Sequence, residues 1–407
     1  MVRAFALWMW RTIRGLPLAL LAPFLLVVSA LALFAADLLS VFFRRRDLPP
    51  STHPSTRAVS VVIPNWNGCD LLRKYLPSVI EATSRHPGSE VIVVDNGSSD
   101  GSAAMLAEEF PQVRTLALPK NLGFGGGSNT GFRAATNDIV VLLNSDMRVE
   151  PDFIAPLLEG FTDSDVFAVS CQIFFSDPAK LREETGLTEG WWSQGMLQVG
   201  HRNDERVQEL YPCFYGGGGS CAFDRHKFLE LGGFDELLAP FYLEDTDLGY
   251  RAWKRGWRVL YQPASHVFHE HRGTIGKKFS EGYIQSILKK NFLLFTWKNI
   301  HEWEKLVPHF FFVWANATIS WLFGNAPQRP SNIGILRAFL QLPGAIHSRL
   351  RARGEATISD TEAFRRPLGG IYRDTFAALA RQPERLSVLF VSPYPIDRKS
   401  TRLNSSH

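Results

Sequence analysis

Near its start the chain carries an apolar stretch without a charge, Leu16 to Ala36, 21 residues interrupted only by Pro17, Pro23 and Ser29. As a helix it reaches about 31 Å, enough to cross a bilayer core. An AxA-like site within it is followed at once by more apolar residues, so residues 1–46 read as a retained membrane anchor rather than a cleavable signal peptide. Asp47 to Thr56, rich in Pro, Ser and Thr, predicts a linker over 47–57. Beyond it the apolar period changes. Val59–Ile63, Glu90–Val94 and Asp138–Leu143 read as strands, while Asp70 to about Ser84 has amphipathic helical spacing. Nearly continuous apolar strands with helices between them predict an α/β domain over 58–281, a mostly parallel sheet with helices on both faces. Ligands gather at the carboxyl ends of such strands. The polar clusters described below follow strands of this kind.

From Gly282 to Gly324 aromatic residues are dense, among them Phe292, Trp297, Trp303, Phe311, Trp314 and Trp321, with Lys289, Lys290, Lys298 and Lys305 interleaved. Two readings of this C-terminal aromatic-rich helical region, 282–350, stand side by side. One is a helical cover on the sheet; the other is a helix pair at a membrane interface, where Trp and Lys are favoured. Pro308, His309 and Asn316 are expected to interrupt a second span from Leu306 to Phe323. Residues 351–385 read as a further linker. Leu386 to Pro395 has the form of the first strand and loop of another α/β domain, whereas Ile396 to His407 is polar, patternless and similar to adaptor read-through. Residues 386–407 are therefore expected to be the start of a truncated second domain with a non-native tail.

With 45% apolar and 21% charged residues among 407, the chain has the mass for a large core, and its net charge of +4 is dispersed. Nothing in that balance calls for a nucleic-acid partner, and it permits only a mild attraction to anionic lipid or phosphate. Arg3, Arg11 and Arg14 precede the anchor and Arg44, Arg45 and Arg46 follow it, so charge alone leaves its orientation open. Cys69, Cys171, Cys213 and Cys221 show no CxxC spacing. This argues against a disulfide framework or zinc site and for a reducing compartment.

The first polar cluster, Pro64-Asn-Trp-Asn-Gly68, directly follows a strand and offers the amides of Asn65 and Asn67; alone it is a turn signal. In the second, Asp95-Asn-Gly-Ser-Ser-Asp-Gly101, a carboxylate is placed to accept the imide N–H of a pyrimidine base, with small residues allowing close approach. Helix capping by Ser98 or Asp100 is the plainer account of the same residues. Asn121-Leu-Gly-Phe-Gly-Gly-Gly-Ser-Asn-Thr-Gly131 exposes backbone N–H groups and opens a helix, a natural seat for phosphate. It is not the dinucleotide fingerprint, because G-x-G-x-x-G fails at Ser128, and no GxxxxGK loop exists.

Asn144-Ser-Asp146 ends the strand Val140–Leu143. It presents an amide and a carboxylate two residues apart, a pair suited to Mg²⁺ or Mn²⁺ or simply to a polar turn. Glu244, Asp245 and Asp247 crowd the first turn of a predicted helix ending near Gly256, more acid than capping needs, and one of them facing a pocket would serve as a general base. His266, His269 and His271 follow the strand Arg258–Tyr261, close enough together for one to be a metal ligand.

The order and spacing of these pieces carry more than any one of them. From Val59 to about Thr274, roughly half the chain, the run V-S-V-V-I-P-N-W-N-G, V-I-V-V-D-N-G-S-S-D-G-S, N-L-G-F-G-G-G-S-N-T-G, L-L-N-S-D and F-Y-L-E-D-T-D-L-G-Y-R-A, then P-x-x-x-x-x-H ending at His269, resembles the family 2 glycosyltransferases. The resemblance is to members with the GT-A fold, the nucleotide-diphospho-sugar transferase architecture, and in particular to the rhamnosyltransferase-like subgroup. It implies that Pro64, Asn65, Asn67 and Asp95 hold the nucleoside, with Asp95 on the base and Asn96 and Ser98 beside it. Asn121, Gly123 and Asn129 would line the donor pocket. Asn144 and Asp146 stand where the family's DxD metal motif stands, with Asp146 as a ligand and His269 as a further one. Asn144 in place of the first Asp removes one charge from that motif. Glu244 would touch substrate and Asp245 would be the catalytic base.

One carboxylate base opposite a metal-held leaving group implies inverting displacement, since no second carboxylate is placed as a nucleophile. The resemblance further implies a nucleoside-diphosphate sugar donor, dTDP-rhamnose or a UDP-sugar. The acceptor would be a saccharide or lipid-linked saccharide in cell-surface polysaccharide synthesis. It also implies a bacterial-type inner membrane with the catalytic domain cytoplasmic, where the donor is found. A processive polysaccharide synthase is the enzymatic rival, but the chain lacks a Q-x-x-R-W motif and a set of several spans. A non-catalytic nucleotide-sugar-binding membrane module is the rival from another class, and Asp146, Asp245 and His269 together argue against it.

Overall fold

The computed structural model describes residues 2–40, 52–176, 184–270, 279–323 and 330–368. The expectations for Arg44–Arg46, for His271 and for everything from residue 369 onward lie outside the described residues. Strands β1 (Val59–Asn65), β2 (Glu90–Asp95), β3 (Arg114–Ala117) and β4 (Ile139–Leu143) run parallel in the order β3-β2-β1-β4. Their unbroken apolar runs reflect cover on both faces. Val61, Ile63, Val93 and Val141 pack towards the helix Cys69–Ser84, whereas Val62, Ile92, Val94 and Val140 pack into a second core with Phe132.

Past β4 the sheet becomes mixed. The remaining strands are β5 (Met147–Val149), β6 (Val166–Phe175), β7 (Thr188–Ser193), β8 (Met196–His201), β9 (Tyr211–Pro212), β10 (Ser220–Asp224) and β11 (Arg258–His269). β10 lies antiparallel between β4 and β6, β11 is parallel to β6, and β5 and β9 pair antiparallel with β11. β7 and β8 form a separate hairpin. The register gathers the chemistry on one edge, with Asn65 opposite Asp95, Ser220 opposite Leu143, and His269 opposite Met147.

β11 is longer than the sequence predicts. Pro263 lacks the N–H a ladder needs, so the pairing shifts after Gln262 and resumes at His266, placing His266 and His269 within the strand rather than after it. The segment after Thr52 is also more than a linker: Ser55 N–H donates to Asp138 (2.9 Å) and the His53 ring sits 3.0 Å from the Thr162 carbonyl.

Among the described residues two helices are long and apolar enough to cross a membrane, the N-terminal Val2–Ser40 and Trp303–Phe323. The second runs unbroken through the expected interruption. Pro308 removes one helical hydrogen bond, and His309 is no polar break because its ring is buried, accepting from Trp297 Nε1 (3.2 Å) and lying 2.7 Å from the Gly195 carbonyl. The two readings of the aromatic-rich region divide between neighbours. The helix Glu281–Asn299 buries Leu294, Phe295 and Trp297 as cover, whereas Trp303–Phe323 exposes Val307, Phe311, Trp314 and Phe323. The N-terminal helix is docked on these elements. Trp8 Nε1 donates to the Leu322 carbonyl (2.6 Å), Trp321 Nε1 donates to that of Thr12 (3.0 Å), and buried Asp37 pairs with buried Arg349 at 2.5 Å. Arg349 also donates to the carbonyls of Trp297 (2.8 Å) and Ile300 (2.6 Å).

His301, in the joint between the two helices, is half-buried beside Arg349, its ring nitrogen 3.4 Å from the Arg349 carbonyl. Burial first and then the Arg349 charge push its pKa down to about 3. Unfolded histidine titrates near 6.5, so the folded value is depressed and the unfolded state takes up a proton first as the pH falls. The stability contributed at higher pH is therefore lost progressively below about pH 6.5. His301→Gln is expected to flatten the fall of Tm between about pH 6.5 and 5. Parallel Tm–pH curves for the two proteins would assign the acid sensitivity to other groups.

Candidate active site

The β1 edge loop is braced before it meets any ligand. Asn67 takes a left-handed φ of 53°. Its N–H donates to Ser98 Oγ (2.9 Å) and its side-chain oxygen accepts from the Ser99 N–H (2.8 Å), locking the loop after β1 to the loop after β2. Asn65 and Asp95, neighbours in register, are buried at 1% and 4% exposure. Asn65 Nδ2 reaches Ser98 Oγ at 3.4 Å, but Oδ1 of Asn65 and Oδ1 of Asp95 have no protein partner among the described residues. An unsatisfied buried acceptor costs about 1–3 kcal/mol, so two side by side mark a place where a ligand bearing N–H or O–H donors is stabilised.

Asn96 and Asn129 differ from their expected roles. The Asn96 amide is spent on the next loop, donating to Asn121 Oδ1 (3.1 Å) and the Gly123 carbonyl (2.8 Å) and accepting from the Leu122 N–H (2.8 Å). Asn129 is buried and exchanges both its hydrogen bonds with the Phe234 backbone, at 2.9 Å each. Each holds the pocket's frame rather than its contents. Asn121 accepts from the Gly123 N–H at 2.7 Å, shaping the entry to the helix Gly123–Ala134. Gly123 has φ of 75°, and a Cβ on Gly131 would meet Val62 Cγ1 at 2.3 Å. The glycines thus let this helix lie tight on β1, beside the Asn65–Asp95 edge.

Across the cleft, Asp146 Oδ1 lies 3.2 Å from His269 Nε2, and His269 Nδ1 lies 2.9 Å from Glu184. Burial lowers the His269 pKa, but hydrogen bonds to Asp146 and Glu184 outweigh it and push the value up to about 9. The two carboxylates flank opposite sides of the ring, and among the described residues no three His, Cys, Asp or Glu side chains converge as a closed metal cage. The Asn144 amide fills the space over Gly219, where a Cβ would meet its Nδ2 at 2.2 Å, and the Asn144 N–H donates to the Gly219 carbonyl (2.9 Å). Of the three histidines, His266 faces Glu150 instead (3.0 Å).

The acidic helix Glu244–Lys254 follows two successive left-handed residues, Tyr242 (φ 73°) and Leu243 (φ 72°). Such strain persists only where the surroundings hold it. Buried Asn291 does so, donating to the carbonyls of Leu238 (2.7 Å), Phe241 (2.9 Å) and Tyr242 (2.9 Å). Asp245 accepts from the N–H groups of Gly218 (3.2 Å) and Thr246 (2.7 Å). Burial pushes up the pKa values of both members of the pair: Glu244, which also feels the Asp245 charge, to about 8, while the N–H donors oppose the rise at Asp245. The two N–H donors favour the charged form of Asp245 against its burial, so this edge carries two neighbouring carboxyl groups that compete for charge.

Asp247, by contrast, is fully buried. It binds Arg251 (2.9 Å), Lys298 (2.8 Å) and Asn299 (2.7 Å) and does not face the cleft.

Glu184, His201 and Tyr215 were not anticipated. The Tyr215 hydroxyl is 3.5 Å from His201 Nε2, and both side chains lie near enough to Asp245 and Glu184 to feel their charge. The legible signal was Gly216–Gly219, four consecutive glycines through which backbone reaches Asp245.

Residues 60–231 match the family model described as Glycosyl transferase family 2. The chain carries a family 2 glycosyltransferase domain. Its sequence is 28% identical over 249 residues to an N-acetylglucosaminyl-diphospho-decaprenol L-rhamnosyltransferase of Mycobacterium tuberculosis, covering 54% of this chain and 79% of that protein. It is also 29% identical over 233 residues to a pre-mycofactocin glycosyltransferase of the same species, covering 55% of this chain but 45% of that protein. Among solved structures, GalNAc-T7 with UDP, GalNAc and Mn²⁺ superimposes with a TM-score of 0.55 at 19% identity, over 79% of this chain and 57% of that one. That likeness is one of fold, and the glycosyltransferase domain has the GT-A architecture. Within it the loops after β1, β2 and β4, the start of β10 and the end of β11 all meet at one edge.

Proposed function

We propose that this glycosyltransferase transfers a sugar from a nucleoside-diphosphate sugar to a saccharide carried on a membrane lipid, with inversion at the anomeric carbon. The observation that carries the reading is one edge holding Asp245 under two backbone N–H groups, two buried acceptors without partners among the described residues at Asn65 and Asp95, and the Asp146–His269 pair. In this reading Asp95 accepts the imide N–H of a pyrimidine base while Asn65 and Pro64 line its edge. The donor pocket continues along Asn121 and Gly123 to the helix N-terminus, where the diphosphate charge is favoured. Asp245 takes the proton from the acceptor hydroxyl; the oxygen forms its bond to the anomeric carbon as the bond from that carbon to the phosphate oxygen breaks. The electron pair leaves with the nucleoside diphosphate.

Asp146 and His269 would hold Mg²⁺ or Mn²⁺, with Asn144 nearby. A bound ion would take the place of the proton that His269 Nε2 shares with Asp146, 3.2 Å away, and would supply charge neutralisation of the diphosphate. dTDP-rhamnose is the leading donor, followed by a UDP-sugar, because the similar mycobacterial protein is named a rhamnosyltransferase. That protein's name also specifies a diphospho-decaprenol acceptor, and two membrane-length helices suit a substrate held in the same membrane. A bacterial inner membrane with a cytoplasmic catalytic domain follows from these substrates.

The test is transfer by the full chain, screened over nucleotide sugars with Mn²⁺ and N-acetylglucosaminyl-diphospho-decaprenol. One donor should be used. Asp95→Ala should raise its KM about 10-fold or more, the equivalent of one lost buried hydrogen bond to a ligand, at near-constant kcat. Donor binding without turnover on any acceptor would instead support a non-catalytic binding module.

A further inference from the structure

A cavity of about 180 Å³ lies outside the catalytic edge, walled by the hairpin strand β8, the helix Glu281–Asn299, the membrane-length helix Trp303–Phe323 and the helix Pro330–Leu340. Its floor is apolar, with Leu197, Leu293, Val313 and Ile335, and its rim carries the exposed Lys289 and Asn316. We infer that this cavity seats the proximal hydrocarbon of the acceptor lipid, a polyprenyl chain whose diphosphate lies near Lys289 while its sugar reaches Asp245. The inference rests on the acceptor class proposed above.

Three observations carry it. First, the cavity is tied to the catalytic residues by the hairpin. The open end of the hairpin holds His201, beside Tyr215, and its turn is pinned by Gly195 to His309 of the membrane-length helix. Gln198, on the cavity wall, is three residues from His201, about 10 Å along a strand. A sugar borne on a diphosphate bridges such a distance.

Second, Lys289 and Leu293 turn one side of the helix Glu281–Asn299 to the cavity, while Asn291 on another side holds the loop that presents Glu244 and Asp245. Third, the helix that walls the cavity with Val313 and Ala317 exposes Val307, Phe311, Ile319 and Phe323 elsewhere on its surface. An apolar chain entering there passes from one apolar surface to another, and the cation at the rim complements the phosphate it carries.

The experiment compares N-acetylglucosaminyl-diphospho-decaprenol with the same head group on a phenyl tail, using the full chain in phospholipid vesicles. The variants are Asn316→Trp and Ser331→Trp, which fill the cavity from exposed and half-buried lining positions. The wild type should prefer the decaprenyl acceptor at least 10-fold in kcat/KM. Both variants should lose that preference while transfer to the phenyl acceptor and donor hydrolysis stay unchanged. A preference that survives both variants, or a wild type indifferent to tail length, overturns the cavity assignment and leaves the glycosyltransferase reading intact. Phospholipid found bound in the purified protein and not displaced by decaprenyl diphosphate overturns it as well, giving the cavity to bulk lipid. Transfer only to acceptors without a lipid would remove the acceptor class and this inference together.

Discussion

Asp245→Asn is expected to lower kcat for sugar transfer by about 10²–10⁴-fold with little change in donor KM, the loss of a positioned general base. The effect follows from what holds the Asp245 carboxylate. Two N–H groups stabilise a negative charge on it, at 3.2 Å from Gly218 and 2.7 Å from Thr246, whereas burial and the neighbouring Asp245 push the Glu244 pKa up. An asparagine keeps the shape but has no lone-pair charge to take the acceptor proton. Initial rates at saturating donor and acceptor decide it. A variant within tenfold of wild type would move the base to Glu244, whose own glutamine variant would then carry the loss. The donor contacts proposed at Asn65 and Asp95 are on β1 and β2, apart from the helix that carries Asp245, so donor binding in Asp245→Asn should persist.

The second large effect concerns stability and a residue two positions further on. Asp247→Ala leaves Arg251 and Lys298 as buried cations short of a partner, at 7% and 2% side-chain exposure. Breaking a buried ion pair from one side costs about 3–5 kcal/mol. A drop in Tm of roughly 6–20 °C is expected for the detergent-solubilised chain. Lys298 retains Asp235 at 2.6 Å, which puts the value toward the lower end. The loss should appear in unfolding, with kcat per folded molecule close to wild type. A normal Tm with lost turnover would mean that Asp247 belongs to the chemistry after all.

The contrast between Asp245 and Asp247 shows where sequence reasoning reaches its limit. In the string Glu-Asp-Thr-Asp they are equivalent acids, but two residues turn a helix by about 200°, so one faces the cleft and the other the helix Glu281–Asn299. The strands β1, β2 and β4 and the loops that end them were legible, because β-branched runs and turn residues act locally. Asn96 and Asn129 carried the right chemistry for ligand contact yet are consumed elsewhere, Asn129 by Phe234 at 105 residues' separation. No local pattern encodes such a partner. Glu184 stands in an undistinguished polar stretch and becomes part of the cleft only because β11 brings His269 to it. Four glycines at 216–219 were visible and mean close backbone approach, but what approaches them is the start of a helix 27 residues on, at Asp245.

The Asp37–Arg349 pair, at 2.5 Å with both side chains buried, joins the N-terminal helix to the catalytic body without passing through the segment between residues 41 and 51. On the membrane reading, that bond sets a posture. A chain held only by its covalent thread would let the cleft tumble and sample many elevations above the lipid surface, whereas a strut bolted through Arg349 to the backbone of Trp297 and Ile300 presents the cleft at one elevation and one tilt. Grafting a foreign anchor in place of residues 2–40 would keep the enzyme on the membrane but lose its stance. Selection among acceptors would then shift from those whose sugar stands at the right height to any that diffuse past.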